Sequence, residues 1–405
     1  MQISHKIELN PNNHQRTYFK KACGVARFTW NWALAEWERQ YQLSKNNANF
    51  PKPNALRLKK QFNALKKQEF PWMYEVTKYA SQQPFIHLQR AYSDFFKKKR
   101  NKPKFKKRGR CRERFYIGGD QVQTVGKKIK IPNLGWVRMK ETLHYGGNIN
   151  GVTISRRADR WVVSFSMEVE VNMIPCKNQA GVGVDLGVNR LATLSTGEVI
   201  ENARPLHHQL RRLKRYQRQL SNAKRKGSKN YAKQQTKIAK LHKRIQDKRQ
   251  NDLHQLTRYL TKEYKNIVIE DLHVKGMMKN RKLSRHIADV GFYEFRRQLE
   301  YKSLWYGNNL TIANRWFASS KTCSDCGEIK ETLLLSEREF TCTHCHYKED
   351  RDVNAAKNLC RLLTTESSSG INAFGQDGNV LTHLSENNQL GRTRNTTSNP
   401  HGRVE

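Results

Sequence analysis

Two pairs of cysteines constrain the fold of this chain more than any other feature. Cys323 and Cys326 form one CxxC pair, and Cys342 and Cys345 form a second pair after 15 intervening residues. Each CxxC turn directs two thiolates toward one point, and two such turns complete a tetrahedron around Zn2+. The spacer suits the hairpin of a zinc ribbon. Because four protein ligands close the coordination sphere, the sequence predicts a structural rather than a catalytic zinc ion.

Charge is the second constraint. The 405 residues include 76 Lys and Arg but only 35 Asp and Glu, so the formal net charge is +41. A bias of this size indicates a phosphate polymer as partner, with a membrane surface as the alternative. The first residues lack the apolar run of a signal peptide, and no apolar stretch of about 18 residues occurs. We therefore expect a prokaryotic cytoplasmic or nucleoid-associated protein without a membrane partner, in which disulfides are disfavoured.

The first half of the chain changes from a strand pattern to a helical pattern and back. An alternating strand at the N-terminus precedes a helical segment, residues 13–96, in which Trp30, Trp32 and Trp37 are expected in the core of a bundle. Short strand-like pieces follow and predict a small antiparallel sheet or barrel. The first strand could complete that sheet, so the helices would be an insertion between its strands.

The second half has a different order of elements. Residues 180–200 predict a buried strand, a turn and a second strand, and residues 204–262 predict a basic helical hairpin. Residues 266–272 form another apolar strand pattern, and one helix is expected from 285 to 306. The polar last 40 or so residues have the composition of a disordered tail.

Two predicted strands carry acids at places where carboxylates are costly. In VGVDLGV, Asp185 lies on the strand face opposite Val182 and Val184, between glycines that leave room for a metal and a phosphate. The apolar strand NIVIEDL ends in Glu270 and Asp271, and a carboxylate there is unfavourable unless it is paired or bound to metal. The alternative for each acid is a turn cap or a solvated strand end.

A third acid, Asp352, begins a helix on which Ala355 and Ala356 share its face. The alanines let this helix lie close to a sheet, which brings Asp352 toward the strand acids. Asp350 lies off that face and is expected to cap the helix. Like charges in one site repel, so a divalent cation is the natural reason for such convergence. Carboxylates select Mg2+ or Mn2+, and two such ions can clamp a phosphodiester during hydrolysis.

The motifs GVDLGV, IVIEDL, the paired CxxC turns and DRDVNAAKN, in this order, resemble the TnpB family of insertion-sequence-encoded, RNA-guided DNA endonucleases, which is related to compact type V CRISPR effectors. The resemblance extends from residue 1 to about 365. It implies a RuvC nuclease domain of RNase H-like fold whose catalytic, metal-binding acids are Asp185, Glu270 and Asp352. The family pattern thus selects Glu270 over Asp271, which the residues themselves do not.

The resemblance and the hydrophobic pattern together predict a multidomain α+β protein. The expected parts are a wedge-like β-barrel from 1–12 and 97–177, a helical recognition insertion at 13–96, the first part of the RuvC domain at 178–316, the zinc ribbon at 317–348, the last RuvC helix at 349–365 and a disordered tail at 366–405.

The function that the resemblance implies is cleavage of DNA beside a short adjacent motif, by two-metal hydrolysis. The implied partners are a guide RNA derived from the transposon end and double-stranded target DNA, bound by a monomer with one RNA. Expected nucleic-acid contacts are Lys78, Tyr79 and Gln82 on the recognition helix and Arg211, Arg212 and Arg215 on the basic hairpin. The alternatives are a nuclease-inactive RNA-guided repressor and a transposase that performs strand transfer. The presence of all three acids and the position of the ribbon favour the nuclease.

Overall fold

The computed structural model describes residues 1–47, 49–170, 178–223, 227–334 and 336–365. The chain divides into two compact units, one made of residues 1–172 with 212–244 and the other of residues 173–211 with 245–405. The predicted disordered tail lies outside the described residues, and the finer domain boundaries stay a prediction. No helix in the described ranges combines the length and apolar character that a membrane span requires.

The first unit contains a helical insertion and two antiparallel sheets. Its elements are β1 (Gln2–Leu9), α1 (Asn13–Asn46), α2 (Ala55–Glu69), α3 (Lys78–Phe96), β2 (Arg114–Gly118), β3 (Gln123–Val125), β4 (Lys128–Ile131), β5 (Gly135–Arg138), β6 (Asn148–Arg157) and β7 (Arg160–Glu168). Asn12 caps α1, because its side chain accepts from the backbone N of Gln15 while the Gln15 side chain accepts from that of Asn12.

The expected closed β-barrel is not found among the described residues. One sheet has the strand order β1-β7-β6-β2, and β3, β4 and β5 form a separate three-stranded sheet. β1 pairs with β7 along its whole length, so the three helices lie between strands of one sheet along the chain. However, β1 and β2 are the two edge strands of this sheet in the described structure, and an isolated bridge between Leu9 and Met139 links β1 to the end of β5.

Aromatic side chains fill the core of the helical insertion. Trp30 and Trp37 are buried, and the ring of Trp37 stacks on Tyr92 with centroids 4.6 Å apart. Trp32 is half-buried and its ring lies 4.8 Å from that of Phe62. The structural role expected for these tryptophans is confirmed.

The second unit is built on a five-stranded sheet. Its elements are β8 (Asn178–Asp185), β9 (Arg190–Leu194), β10 (Val199–Glu201), β11 (Tyr264–Glu270), α6 (Val274–Met277), α7 (Ser284–Val290), α8 (Phe292–Tyr306), β12 (Asn309–Ala313), β13 (Glu339–Thr341), β14 (Lys348–Asp350) and α9 (Arg351–Thr365). The basic hairpin consists of α4 (Pro205–Ser221) and α5 (Lys229–Glu263), whose residues are shared between the two units.

The order of the sheet is β10-β9-β8-β11-β12, in which β8, β11 and β12 are parallel. One face packs on α5 and α8, where Val184, Ile267 and Leu299 belong to a continuous buried core. The other face packs on α9, where Val268 contacts Leu359. Alternate residues of the interior strand β11 therefore enter two different apolar layers, which explains why Ile267, Val268 and Ile269 are all apolar.

The single helix expected from 285 to 306 is two helices. Gly291 adopts a left-handed backbone conformation, with φ of 83°, and its N–H donates to the carbonyl of Ile287. A glycine in this conformation ends a helix readily because it has no Cβ to clash. The helical pattern continues on both sides of Gly291, so periodicity alone did not separate α7 from α8.

Candidate active site and zinc ribbon

Two of the predicted acids end adjacent parallel strands. Asp185 is the last residue of β8 and Glu270 is the last residue of β11. Val184 pairs with Ile269 in the parallel register. Asp185 and Glu270 are the next residues of these two strands, so they lie side by side at the same edge of the sheet. This edge, at the carboxyl ends of parallel strands, is where open α/β sheets bind their ligands.

The third acid reaches this edge because α9 lies directly on β8. A Cβ atom added to Gly183 would lie 1.9 Å from the carbonyl oxygen of Ala356 and 2.6 Å from the backbone N of Cys360. Ala355 and Ala356 are buried, as their small size predicted. Gly183 was expected to leave room for metal and phosphate, but the structure shows that it admits the helix backbone. Asp352 in the first turn of α9 is thereby held near the strand ends.

The three carboxylates interact electrostatically. Burial, followed by the charges of Glu270 and then Asp352, raises the pKa of Asp185 to about 8. Asp185 retains some contact with solvent, although protein surrounds most of its side chain. A carboxylate whose ionisation is opposed by two others is a suitable ligand for a divalent cation, since the cation removes the repulsion. The donor set therefore fits Mg2+ or Mn2+.

In the described structure the three acids lie near one another, but their oxygen atoms do not form a group as compact as a metal-binding cluster. Among the described residues, only the cysteine quartet forms a group whose potential metal-ligand atoms all lie within 4.8 Å of one another. Glu270 and Asp352 each contact a neighbouring polar side chain. Glu270 accepts a short hydrogen bond from the hydroxyl of Ser319, and Asp352 lies 3.7 Å from the guanidinium of Arg190. Neither Ser319 nor Arg190 belongs to a motif that the sequence analysis singled out.

Asp350 caps α9, as its position predicted. Its Oδ1 accepts hydrogen bonds from the backbone N of Asp352 at 2.9 Å and of Val353 at 3.3 Å. Its Oδ2 accepts a hydrogen bond of 2.8 Å from Arg190. Burial alone would raise the pKa of Asp350, but these hydrogen bonds outweigh burial, so the pKa is lowered. Asp350 is therefore an ionised cap that also fixes Arg190 beside Asp352.

The structure separates the two acids at the end of β11. Asp271 accepts hydrogen bonds of 2.6 Å from both Arg296 and Arg315. Burial would raise the pKa of Asp271, but the bonds from Arg315 and then Arg296 outweigh it, so this pKa is lowered. Asp271 is engaged by two guanidinium groups, whereas Glu270 contributes to the field at Asp185. Of the two acids, Glu270 is the one whose charge raises the pKa of Asp185.

The four cysteines converge as predicted. Their sulfur atoms lie within 4.8 Å of one another, with Cys323 Sγ 3.7 Å from Cys345 Sγ and Cys326 Sγ 3.6 Å from Cys342 Sγ. The strands β13 and β14 form the hairpin of the ribbon, with Phe340 buried beside the cysteines. Neither neighbouring histidine belongs to the cluster within the described residues. This donor set fits a structural zinc ion.

The predicted contacts on α3 lie together at its first turn. The hydroxyl of Tyr79 donates a hydrogen bond of 2.6 Å to Asp120, and the amine of Lys78 lies 3.5 Å from the same carboxylate. Gln82, one turn further, is half-buried. Asp120 was not singled out from the sequence, because its position in a short turn after β2 carries no distinctive pattern.

The three predicted arginines of the basic hairpin are exposed on α4. The guanidinium groups of Arg212 and Arg215 lie 5.5 and 5.6 Å from the ring centre of Tyr216. Within the described part of the chain, neither of these nor Arg211 forms an ion pair with a carboxylate. Arg212 Nε donates a hydrogen bond of 3.0 Å to the Tyr216 hydroxyl. Since the three guanidinium groups have no carboxylate partner among the described residues, their charge is available to phosphates.

Three family models match the chain. Residues 164–281, which include Asp185 and Glu270, match the OrfB IS605 model described as "Probable transposase". Residues 292–359, which include the cysteines and Asp352, match "Cas12f1-like, TNB domain". Residues 1–46 match the "Helix-turn-helix domain" model of OrfB IS605, although this range of the structure holds β1 and the single long helix α1.

Curated relatives extend over nearly the whole chain. A protein of Streptomyces pristinaespiralis, named as an RNA-guided DNA endonuclease, is 36% identical over 90% of this chain and 90% of its own length. InsQ of Escherichia coli strain K12, named in the same way, is 34% identical over 87% of this chain and 90% of its own. A Cas12f1 chain, solved in complex with sgRNA and target DNA, covers 89% of this chain and 99% of its own, at 15% identity and a TM-score of 0.34.

A TM-score this low does not establish a common fold, so the assignment depends on the sequence relatives. Their identity exceeds 30% over about nine tenths of both chains, and the matched models contain every residue of the acid triad and of the cysteine cluster. The chain belongs to the TnpB family of IS605-type insertion-sequence proteins.

Proposed function

We propose that this protein is an RNA-guided DNA endonuclease whose Asp185, Glu270 and Asp352 hold divalent metal ions for phosphodiester hydrolysis. The observation that carries the proposal is the convergence of three acids from β8, β11 and α9, with the pKa of Asp185 raised by burial and by the other two carboxylates. The names of the curated relatives support the same activity.

The three acids and the residues around them have different roles, which follow from their positions in the fold. Asp185 and Glu270 approach from strand ends that the sheet fixes, and Asp352 approaches from a helix that Gly183 allows to lie against β8. Asp350 and Arg190 hold the start of that helix. Mg2+ or Mn2+ bound by the acids would supply charge neutralisation and an activated water. Fixed carboxylates are needed because a displacement of about 1 Å can cost on the order of 100-fold in rate.

The partners in this proposal are a guide RNA and double-stranded DNA, bound by one protein molecule. The net charge of +41 and the exposed arginines of α4 favour contacts with phosphates. Base pairing with the guide would read the target, while Lys78, Tyr79 and Gln82 are candidates to read a short adjacent motif. The cysteine cluster holds zinc in this proposal and stabilises the ribbon that precedes α9.

A cleavage assay with neighbouring acids tests the proposal. Glu270→Gln and Asp352→Ala should abolish cutting of target DNA while target binding stays within a few-fold of the unaltered protein, because a lost metal ligand affects chemistry and not base pairing. Asp271→Asn is the matched control at the same strand end, and we expect it to cut DNA with reduced thermal stability. Sequencing of the co-purified RNA should return one species with a common scaffold.

The competing activities predict other outcomes. Full cutting by the Asp352 variant, or loss of cutting only in the Asp271 variant, would overturn the assignment of the acids. Target binding without cutting by the unaltered protein in Mg2+ and Mn2+ would indicate a repressor. Joining of DNA ends to a new site would indicate a transposase.

A further inference from the structure

The segment between β12 and the first cysteine pair passes the candidate active site. These residues, 314–322, are here called the strap. The strap is a series of tight turns, in which Phe317 N donates to Asn314 O at 3.0 Å and Thr322 N donates to Ala318 O at 3.0 Å. Ser319 lies in its middle and is only 4% exposed. A buried serine in a tight turn has a fixed direction, so its contacts are determined by the fold.

Ser319 contacts two of the three elements that carry the acids, β11 and α9. Its hydroxyl donates to Oε1 of Glu270 at the end of β11. Its backbone carbonyl accepts a hydrogen bond of 2.8 Å from the side-chain amide of Asn358 on α9. Within the described residues, the bond from Ser319 is the one hydrogen bond that the Glu270 carboxylate makes. Among these residues Oε2 of Glu270 has no such partner and is available to a cation.

The strap is tied to the helix that carries Asp352. Asn354 and Asn358 lie one turn apart on α9 and both are buried. Asn358 also donates to the carbonyl of Thr322 at 2.6 Å, and Asn354 donates to the same oxygen at 2.8 Å. The Oδ1 of Asn354 accepts from the backbone N of Ser324, inside the first CxxC turn, at 2.9 Å. Burying two amides is costly without such partners, so these bonds hold the strap in a single register.

We infer that Ser319 is a positioning residue for Glu270, and that Asn358 sets its place relative to α9. The inference rests on the proposed metal-binding role of the acids. The hydroxyl restricts the rotation of a carboxylate that otherwise has no hydrogen bond in the described structure, and it occupies one of the two oxygens. The Asn358 amide binds the backbone carbonyl of Ser319 and so links this residue to the helix of Asp352. The spacing between Glu270 and Asp352 is thereby fixed through the strap.

The Mg2+ dependence of cleavage by the full-length protein–RNA complex tests this inference. Groups that hydrogen-bond a metal ligand typically contribute on the order of 10- to 100-fold to metal affinity or activity. Ser319→Ala should therefore raise the half-saturating Mg2+ concentration by roughly ten-fold, with the rate partly recovered at high Mg2+. Ser319→Thr retains the hydroxyl and should restore most of the affinity. Ser320→Ala is the matched control, since the adjacent hydroxyl makes no hydrogen bond in the described part of the chain.

A second measurement does not depend on turnover. Binding of Mn2+ to the same complexes is followed by electron paramagnetic resonance, with the Glu270→Gln complex as the blank for ions held by RNA. Ser319→Ala should weaken the Mn2+ binding that the blank lacks, while zinc content and target binding stay unchanged. Loss of thermal stability with unchanged Mg2+ and Mn2+ dependence would show a merely structural role and overturn the inference.

The outcomes separate this inference from the proposed function. A Ser319→Ala complex that matches Ser320→Ala while Glu270→Gln is inactive overturns the positioning role alone. Cleavage by Glu270→Gln overturns the proposed function itself. If Ser319→Ala does not fold, Asn358→Asp decides, because it keeps the side-chain size but loses the N–H donors. An Asn358→Asp complex with unaltered Mg2+ dependence would then refute the link, and a raised requirement would support it.

Discussion

The close approach of the α9 backbone to Gly183 offers a direct test of how this site is built. Gly183→Ala adds one methyl group at the point where β8 meets α9. The new Cβ would lie 1.9 Å from the carbonyl oxygen of Ala356, whereas an ordinary contact is about 3.4 Å or more. The helix or the strand must therefore shift by roughly 1.5 Å. Since the opposing atoms belong to the backbone, no side-chain rotation can relieve the clash.

The size of the effect follows from this overlap. Overpacking typically lowers the free energy of unfolding by about 1 to 3 kcal/mol, and we expect a backbone clash to cost about 3 kcal/mol. For a compact unit of this size, that cost lowers Tm by roughly 6 to 12 °C. The same shift moves Asp352 relative to Asp185 by about 1 Å, which is expected to lower the cleavage rate on the order of 100-fold.

Thermal unfolding and cleavage are measured together on the unaltered protein and two glycine variants. Gly24→Ala is the matched control, because a Cβ at Gly24, inside α1, meets no atom within 4 Å. Alanine is favoured over glycine within a helix by about 1 kcal/mol, so this variant should be at least as stable as the parent and cut DNA normally. A Gly183→Ala protein with the stability and cleavage rate of the parent would refute the close packing of α9 on β8.

Two further predictions concern the ribbon and the basic hairpin. Elemental analysis should find one zinc ion per chain. The Cys326→Ala variant should lose both the zinc and its solubility, since zinc binding in small sites supplies on the order of 10 kcal/mol of folding free energy. The control Cys111→Ala lies outside the cluster and should retain the metal, and active protein without zinc would contradict the prediction. Replacement of Arg211, Arg212 and Arg215 by Ala should weaken the salt dependence of RNA binding. The slope of log affinity against log salt concentration should become less steep by about one for each lost phosphate contact. The control removes the same charge from Lys21, Arg39 and Arg297, which lie outside the basic hairpin and are each paired with a carboxylate. Equal slopes for the two triple variants would show that the hairpin arginines do not contact phosphate.

Much of the second unit was accessible from the sequence because its signals are local. The spacing of the cysteines determines which thiolates can share one ion, and the structure brings all four together. Apolar runs identified β8 and β11, and the small residues Ala355 and Ala356 predicted the close approach of α9. These features depend on residues a few positions apart, where periodicity and side-chain size are sufficient.

Other features were decided by contacts between distant residues. The different surroundings of Glu270 and Asp271 come from Arg296 and Arg315, which bind Asp271 and lie 25 and 44 positions further along the chain. The barrel became two open sheets because strand pairing depends on how edges meet, and alternation of apolar residues does not specify this. The helix from 285 to 306 was divided at one glycine whose left-handed conformation no periodic pattern reveals.

The sequence by itself determined the chemical groups of this protein, namely three acids, four thiolates and a large excess of cations. Only the tertiary structure decided which of those groups meet and what holds them. Ser319 binds Glu270 across 49 positions, and Arg190 binds Asp350 across 160. Such pairs leave no trace in local composition, because a hydrogen bond depends on the positions of two atoms in space and not on the distance between them along the chain.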